Sequence, residues 1–189
     1  MPRVEVLRTY LELADPETLR PAGCPDPQAR VEPVTACPPS FLRYLYAEVG
    51  RRYLWLDRLG WTDEQFADRF ADPSVTLHLL SVAGAPAGYF ELERHGDGSV
   101  QVAYFGLLRE FIGRGLGKYL LTRAVGEAFA LGASRVWLHT CTLDDPAALP
   151  NYLARGFRKV RKETYEVELP DSPDALTTVA PVVAGGDSP

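Results

Sequence analysis

The chain has 189 residues, of which 46% are hydrophobic, and a formal net charge of −5 at pH 7. This length and composition predict one domain with a sizeable core, and the mild acidity disfavours a nucleic-acid partner, which would need a basic face. No apolar run is long enough to span a membrane, and the N-terminus lacks the pattern of a secretory signal. Three separated cysteines favour reduced thiols, and three scattered histidines lack metal-ligand spacing. We therefore expect a cytoplasmic protein without a metal.

The N-terminal part of the chain predicts strands and helices around a proline-rich stretch. Residues 3–13 alternate between apolar and polar and predict an opening strand. Residues 14–39 would form an unusually long loop for a compact domain, so we expect residues 29–34 to pair as a further strand. An apolar stripe beginning near Ser40 predicts one helix, and a capping-box pattern at residues 62–65 predicts a second.

Three short strands separated by tight turns follow these helices. They are predicted over residues 76–82, 87–94 and 99–108, and their spacing indicates an antiparallel meander. Gly106 lies near the end of the third strand, where a glycine suggests a bulge or a close approach of backbone. The meander therefore delivers the chain directly to the segment that follows.

That segment carries three glycines at alternate positions, namely Gly113, Gly115 and Gly117. An amphipathic helix is predicted over residues 116–131, so unpaired backbone N–H groups and the positive end of the helix dipole meet at one point. That arrangement binds phosphate. A P-loop is excluded because Ile112 and Tyr119 stand where glycine and Ser or Thr are required. The G-x-G-x-G spacing also excludes a dinucleotide fingerprint. An ordinary glycine-rich turn remains the alternative.

The C-terminal part predicts one more strand, a helix and two closing strands. Residues 134–141 form a strand that follows a strand–helix unit, so it should run parallel to the strand before that helix. Residues 144–157 are predicted to form a capped helix, and residues 158–161 and 163–169 the two closing strands. Residues 170–189 are rich in Pro, Gly, Asp and Ala and are expected to be disordered.

Two motifs resemble those of the GNAT N-acetyltransferase superfamily. The first is the acyl-CoA loop, Gln/Arg-x-x-Gly-x-Gly/Ala, whose small residues match Gly115 and Gly117 while Ile112 stands at the polar position. The second is a late helix, Asn-x-x-Ala-x-x-x-Tyr-x-x-x-Gly-Phe, in which Asp145 replaces the Asn. Its other positions match at Ala148, Tyr152, Gly156 and Phe157. Because both motifs occur in the correct order, the chain is identified as a member of this superfamily over residues 76–169.

The resemblance implies a fold and a donor substrate. The fold class is α/β, with a central mixed, mostly antiparallel sheet of about six or seven strands flanked by helices. One such domain would cover residues 1–169. The acyl donor would be acetyl-CoA, although a longer acyl group stays open, and the sheet would splay to admit its pantetheine arm. The resemblance implies that the main chain at Leu107 and Leu108 binds the pantetheine arm. It also implies that the pyrophosphate is held by Gly113, Arg114, Gly115, Leu116, Gly117 and Lys118.

The resemblance also points to the residues that would move protons. Acyl transfer from a thioester to an amine expels a thiolate, which a nearby phenol can protonate. Because the pKa is about 10 for the phenol and about 8.5 for the thiol, this proton transfer is only mildly uphill. Tyr152 is therefore predicted to be the general acid, with a packing role as the alternative. Gln101 stands where many family members carry a basic Glu, and it cannot accept a proton. Glu91 and Glu93 on the neighbouring strand could act through a water or could simply be solvated.

The resemblance implies that the acceptor is an amine on a small molecule or peptide. No nucleic-acid or membrane partner is expected. Helices in the N-terminal part would wall off its pocket. Phe66 and Phe70 are interpreted as core residues, whereas four other aromatic residues could belong to the core or to the pocket: Tyr44, Tyr53, Trp55 and Trp61. The alternative function is a non-catalytic acyl-CoA-binding or regulatory module on the same fold. Exposed closing strands could also pair between chains to form a homodimer.

Overall fold

The computed structural model describes residues 3–168, which form a seven-stranded sheet flanked by helices. In chain order the elements are β1 (Arg3–Leu13), β2 (Ala29–Pro33), α1 (Pro39–Gly50), α2 (Asp63–Ala71), β3 (Val75–Val82), β4 (Ala85–Arg94), β5 (Ser99–Leu107), α3 (Leu116–Ala130), β6 (Arg135–Cys141), α4 (Ala148–Ala154) and β7 (Arg158–Glu168). The strand order is β2-β3-β4-β5-β6-β1-β7. Only β5 and β6 are parallel. The predicted mixed, mostly antiparallel α/β sheet is confirmed.

Several local predictions are confirmed in detail. The strand expected in the proline-rich stretch exists as β2 and pairs with β3. The capping box is complete, because the Thr62 side chain accepts a hydrogen bond from the Gln65 amide and the Gln65 side chain accepts one from the Thr62 amide. The strands β3, β4 and β5 form the antiparallel meander. As expected from right-handed strand–helix–strand connection, β6 runs parallel to β5.

Two predictions near the C-terminus are wrong in their boundaries. The helix predicted over residues 144–157 begins only at Ala148, because the side chains of Asp144 and Asp145 accept hydrogen bonds from the amides of Cys141 and Ala147 in the turn before it. The two predicted closing strands are one continuous strand, β7, whose pairing with β1 absorbs an irregularity between Tyr10 and Leu11. The tail predicted to be disordered lies outside the described residues.

The sheet is covered on both faces, and β4 shows how the two cores divide. Phe90 and Leu92 point toward α3 and α4, whereas Tyr89 points toward α1 and α2. Burial of each such side chain contributes about 1.5–3 kcal/mol. Phe66 is fully buried and Phe70 packs against the same cluster, which confirms their interpretation as core residues.

The sheet splays apart between β5 and β6. Their pairing is limited to residues 99–101 against residues 135–137, although β5 continues to Leu107. On the other side of β5, the register with β4 shifts so that Ala103 is the extra residue of a bulge. Gly106 is the expected close approach, since a Cβ there would lie 2.3 Å from Cγ1 of Val49 in α1. A cleft therefore opens where the two parallel strands separate.

No helix within residues 3–168 combines the length and apolar character that crossing a membrane requires.

Candidate active site

The splay opens into a cavity of about 1130 Å³. This volume is at the upper end of the range for small-molecule sites, so it can hold more than one ligand group. We call its two sides the donor half, formed by residues 105–118 with Tyr152, and the acceptor half, formed by residues 53–61 with the facing side chains of β4, β5 and β6. The two halves meet at the ends of β5 and β6.

The glycine loop presents its backbone to the cleft. Gly113 and Gly115 adopt left-handed φ angles of 82° and 78°, which only glycine adopts without strain. Among the described residues, none of the amides of residues 113–118 donates to a protein acceptor, and α3 begins without a side-chain cap. Unpaired amides at a helix N-terminus, together with the positive end of the dipole, form an anion site that fits a diphosphate.

The residues predicted to hold the cofactor do not all face the cleft. Leu116 is buried in the core, and Arg114 pairs with Asp26 at 3.1 Å while its guanidinium lies over the ring of Phe111. Lys118 is exposed at the rim. Those that line the cleft are Leu107, Gly113, Gly115, Gly117 and Lys118, together with Ile112 from the loop.

The main chain at the end of β5 has one edge available to a ligand. The amide of Leu108 donates to the carbonyl of Ala87 at 2.9 Å, so it is already used by the protein. Because hydrogen-bonding direction alternates along an antiparallel strand, the amide and carbonyl of Leu107 point away from β4, toward the gap that β6 leaves. Leu107, not Leu108, can therefore pair with an extended ligand in the gap.

Tyr152 lies on α4 at the edge of the same gap. Its ring packs edge-on against Phe105 and Phe157, and 7% of the residue is exposed. Burial and, to a lesser extent, the nearby carboxylate of Asp144 raise the pKa of Tyr152 above its usual value. The phenol therefore keeps its proton at neutral pH, and the raised pKa makes it a weaker proton donor to a thiolate than an ordinary tyrosine would be.

Glu91 lies in a buried ion-pair cluster rather than at the cleft surface. It is 1% exposed, and Arg58 holds its two oxygens with a pair of 2.8 Å hydrogen bonds. Arg69 donates to Glu91 as well, through Nε at 2.8 Å, and also bonds Glu93 at 2.6 Å. This pairing argues against Glu91 as the predicted base. Glu93 lines the cleft but shares one oxygen with Arg69.

A second polar group in the acceptor half is centred on Asp57. Its carboxylate accepts hydrogen bonds from the hydroxyls of Tyr46, at 2.7 Å, and Tyr104. Arg58 lies over the rings of Tyr104 and Trp61, with its guanidinium carbon 4.1 Å and 4.7 Å from their centres. Of the four aromatic residues that could belong to the core or to the pocket, Tyr53, Trp55 and Trp61 line the cleft. Tyr44 is 47% exposed and stacks on Phe41 outside the cleft.

The cleft residues that the sequence did not predict include Asp57, Arg58 and His139. A charged pair embedded in an aromatic segment was the only available signal for the first two. His139 carried the signal of strand alternation, because it lies on β6 between the buried residues Leu138 and Thr140. No group of three or more metal-ligating side chains comes together within the part of the chain that the structure describes.

These features define a class of protein. A mixed sheet that splays beside a glycine loop, with unpaired amides on one side of the gap and a phenol on the other, can hold a phosphate-bearing ligand that extends into the gap. The chain belongs to the Acetyltransferase (GNAT) family, whose model matches residues 42–157. Members of this family use acetyl-CoA as the acyl donor.

Solved structures share the fold at low sequence identity. A GCN5-related N-acetyltransferase from Sphaerobacter thermophilus is 16% identical with a TM-score of 0.65, over 86% of this chain and 51% of that chain. One from Kribbella flavida is 20% identical with a TM-score of 0.62, over 85% and 56%. The ribosomal-protein-S18-alanine N-acetyltransferase from Escherichia coli is 16% identical with a TM-score of 0.56, over 70% and 79%.

At these identities the likeness establishes the fold alone. The chain spans little more than half the length of the first two proteins. No curated protein matches it significantly.

Proposed function

We propose that the protein is an acetyl-CoA-dependent N-acetyltransferase in which residues 1–169 form the catalytic domain. The observation that carries the proposal is the set of unpaired amides at residues 113–118, which open on the cleft that Tyr152 also lines. Backbone amides give charge-assisted hydrogen bonds to phosphate without any required side chain. The Ile112 that replaces the usual polar residue therefore leaves this anion site intact.

In the proposed reaction, Leu107 pairs with the pantetheine arm through its main chain and directs the thioester into the gap. The amine attacks the thioester carbon, a C–N bond forms, and the C–S bond breaks. Tyr152 donates its proton to the departing thiolate. Holding the thioester and the amine together lowers the barrier by several kcal/mol on the effective-molarity scale, independently of proton transfer.

The proposed acceptor is a primary amine on a small molecule or peptide. Aromatic rings and the carboxylate of Asp57 line the acceptor half, and Arg58 and Arg69 are already neutralised by Glu91 and Glu93. The carboxylate of Asp57 has no cationic partner among the described residues, so it favours a positively charged group on the acceptor. The name of the E. coli relative indicates that an α-amine of a ribosomal protein is its acceptor. That precedent keeps peptide amines among the candidates.

A homodimer through β7 is part of the proposal. Within the described residues β7 pairs only with β1, and Val160 is 53% exposed on it. The first half of the strand is basic at Arg158, Lys159, Arg161 and Lys162, and the second half is acidic at Glu163, Glu166 and Glu168. Antiparallel pairing of two copies sets opposite charges face to face.

Light scattering of wild type and of Lys159→Glu/Lys162→Glu tests the homodimer. Charge reversal should yield a monomer, and a monomeric wild type would refute the proposed dimer.

All three cysteines are free thiols, which is compatible with the reducing cytoplasm proposed for this protein.

Two measurements test the central proposal. Calorimetric titration with acetyl-CoA should show binding, and a thiol reagent should detect CoA release when primary amines from a panel of polyamines, amino sugars and short peptides are added. Absence of both heat and thermal shift with acetyl-CoA would refute the donor site. Binding without turnover for every amine would favour a non-catalytic acyl-CoA-binding module.

A further inference from the structure

His139 lies beside the gap between β5 and β6, two residues beyond the last position of β6 that pairs with β5. Its neighbours Leu138 and Thr140 are buried, and Leu138 belongs to the core cluster that also contains Tyr152. Because side chains alternate along a strand, His139 projects from the opposite face, toward the acceptor half. A thioester lying in the gap would have His139 on one side and Tyr152 on the other.

The imidazole is open to the cleft and uncommitted. It lines the cleft, and neither ring nitrogen makes a hydrogen bond to a protein group within residues 3–168. Its contact is with the ring of Tyr10, edge-on at 5.7 Å between centres. By contrast, Glu91 is enclosed by two arginines and Glu93 is bound to Arg69. His139 is therefore better placed than either carboxylate to accept a proton from a ligand.

Desolvation favours the neutral form of the ring more than the surrounding charges oppose it. His139 is an exposed residue of β6, and desolvation by the protein around its ring lowers the pKa of His139 from its ordinary value. Arg8 on β1 acts in the same direction, while three carboxylates oppose it from other elements: Asp144 after β6, Asp57 in the acceptor half and Glu163 on β7. The result is an imidazole that is unprotonated at pH 7 and available as a base.

We propose that His139 is the catalytic base that takes the proton from the acceptor ammonium. This proposal rests on the proposed acetyltransferase function. One ammonium proton passes to an imidazole nitrogen, and the freed electron pair forms the C–N bond as the C–S bond breaks. The thiolate takes the proton of Tyr152, and the phenolate recovers a proton from the attached nitrogen through water. His139 then releases its proton to solvent, so amide, CoA thiol and one proton are produced.

The test compares the pH dependence of wild type with that of His139→Gln, using an amine from the panel that wild type acetylates. In wild type, kcat/KM should rise through a pKa below 6.5 and then level off. In His139→Gln, only free amine reacts, so kcat/KM should keep rising toward the pKa of the amine itself. The loss at pH 7 should be about 10²–10⁴-fold and should shrink as pH increases. Added imidazole should restore part of the activity of His139→Ala.

Controls separate this inference from the function on which it depends. His78→Gln removes a histidine that stacks on Phe90 outside the cleft, and it should leave the pH profile unchanged. Calorimetry should give equal acetyl-CoA affinity for wild type and His139→Gln. Equal activity and equal pH profiles for these two proteins would overturn the role of His139 alone. A wild type that binds acetyl-CoA but turns over no amine would overturn both proposals.

Discussion

The donor half of the cleft is formed by consecutive residues and offers mainly backbone, whereas the acceptor half gathers side chains from distant parts of the chain. Residues 105–118 run through a strand end, a glycine loop and a helix start. In the acceptor half, Arg58 reaches Glu91 across 33 positions of sequence. The contrast indicates that local conformation is enough to hold the donor. Recognition of a particular acceptor requires side chains that only tertiary packing brings together.

The two halves also differ in how they respond to substitution. Only substitution by proline removes a peptide N–H, so we expect the donor half to be sensitive to backbone shape and tolerant of most side-chain changes. The acceptor half depends on charges whose partners are buried, and removal of one leaves another uncompensated. Substitutions in one half, or at the boundary between the two halves, should therefore have different effects.

The largest effect is expected at the boundary. Tyr152→Phe removes the proton donor and should lower kcat by about 10²–10⁴-fold, with acetyl-CoA affinity nearly unchanged. Steady-state kinetics and calorimetry measure the two quantities. Tyr44→Phe is the matched control because that ring is exposed outside the cleft. Equal kcat for the Tyr152 variant and wild type would mean that this phenol only packs.

The next largest effect should come from the buried charges of the acceptor half. Glu91→Ala leaves Arg58 and Arg69 without their shared partner, so the free energy of unfolding should fall by about 3–5 kcal/mol. Urea denaturation followed by tryptophan fluorescence measures it. Glu93→Ala, at a partly exposed pair, should cost less than about 1 kcal/mol. Similar losses for the two variants would contradict the assigned difference in burial.

A smaller effect is expected from the backbone of the donor half. Gly115→Ala forces a Cβ into a left-handed conformation at a cost of about 1–2 kcal/mol. Because the loop must hold that shape to bind phosphate, acetyl-CoA affinity should fall about tenfold, as calorimetry can show. Gly60→Ala, in open space in the acceptor half, is the control. Unchanged affinity in the Gly115 variant would show that the loop shape is not needed.

The smallest effect should come from a donor-half side chain. Lys118 is exposed at the rim, so Lys118→Ala should weaken acetyl-CoA binding by less than about 1 kcal/mol. The difference should shrink at high salt, which screens exposed charges. Calorimetry at two salt concentrations measures it, with Lys159→Ala on β7 as the control. A hundredfold loss would show that a side chain, not the amides, dominates phosphate binding.

Predictions from sequence succeeded where conformation is decided by neighbours along the chain. The capping box at Thr62 satisfies amides three residues away, and the glycine loop needs its φ angles at fixed positions. The same reasoning failed for β7, because the irregularity that keeps it continuous depends on its pairing with β1. It also did not predict that Glu91 pairs with two arginines, because alternation along a strand shows only which side of the sheet a residue faces.

The sequence by itself determined the order of the elements, the parallel placement of β6 and the position of the glycine loop, because hydrophobic period and glycine spacing are local properties. Only the tertiary structure decided that Arg58 pairs with Glu91, that Asp57 has no cationic partner among residues 3–168, and that His139 lines the same cleft as Tyr152. Those outcomes depend on distance and burial between segments far apart in the chain. Such quantities follow from how the sheet splays and how α1 and α2 pack on it.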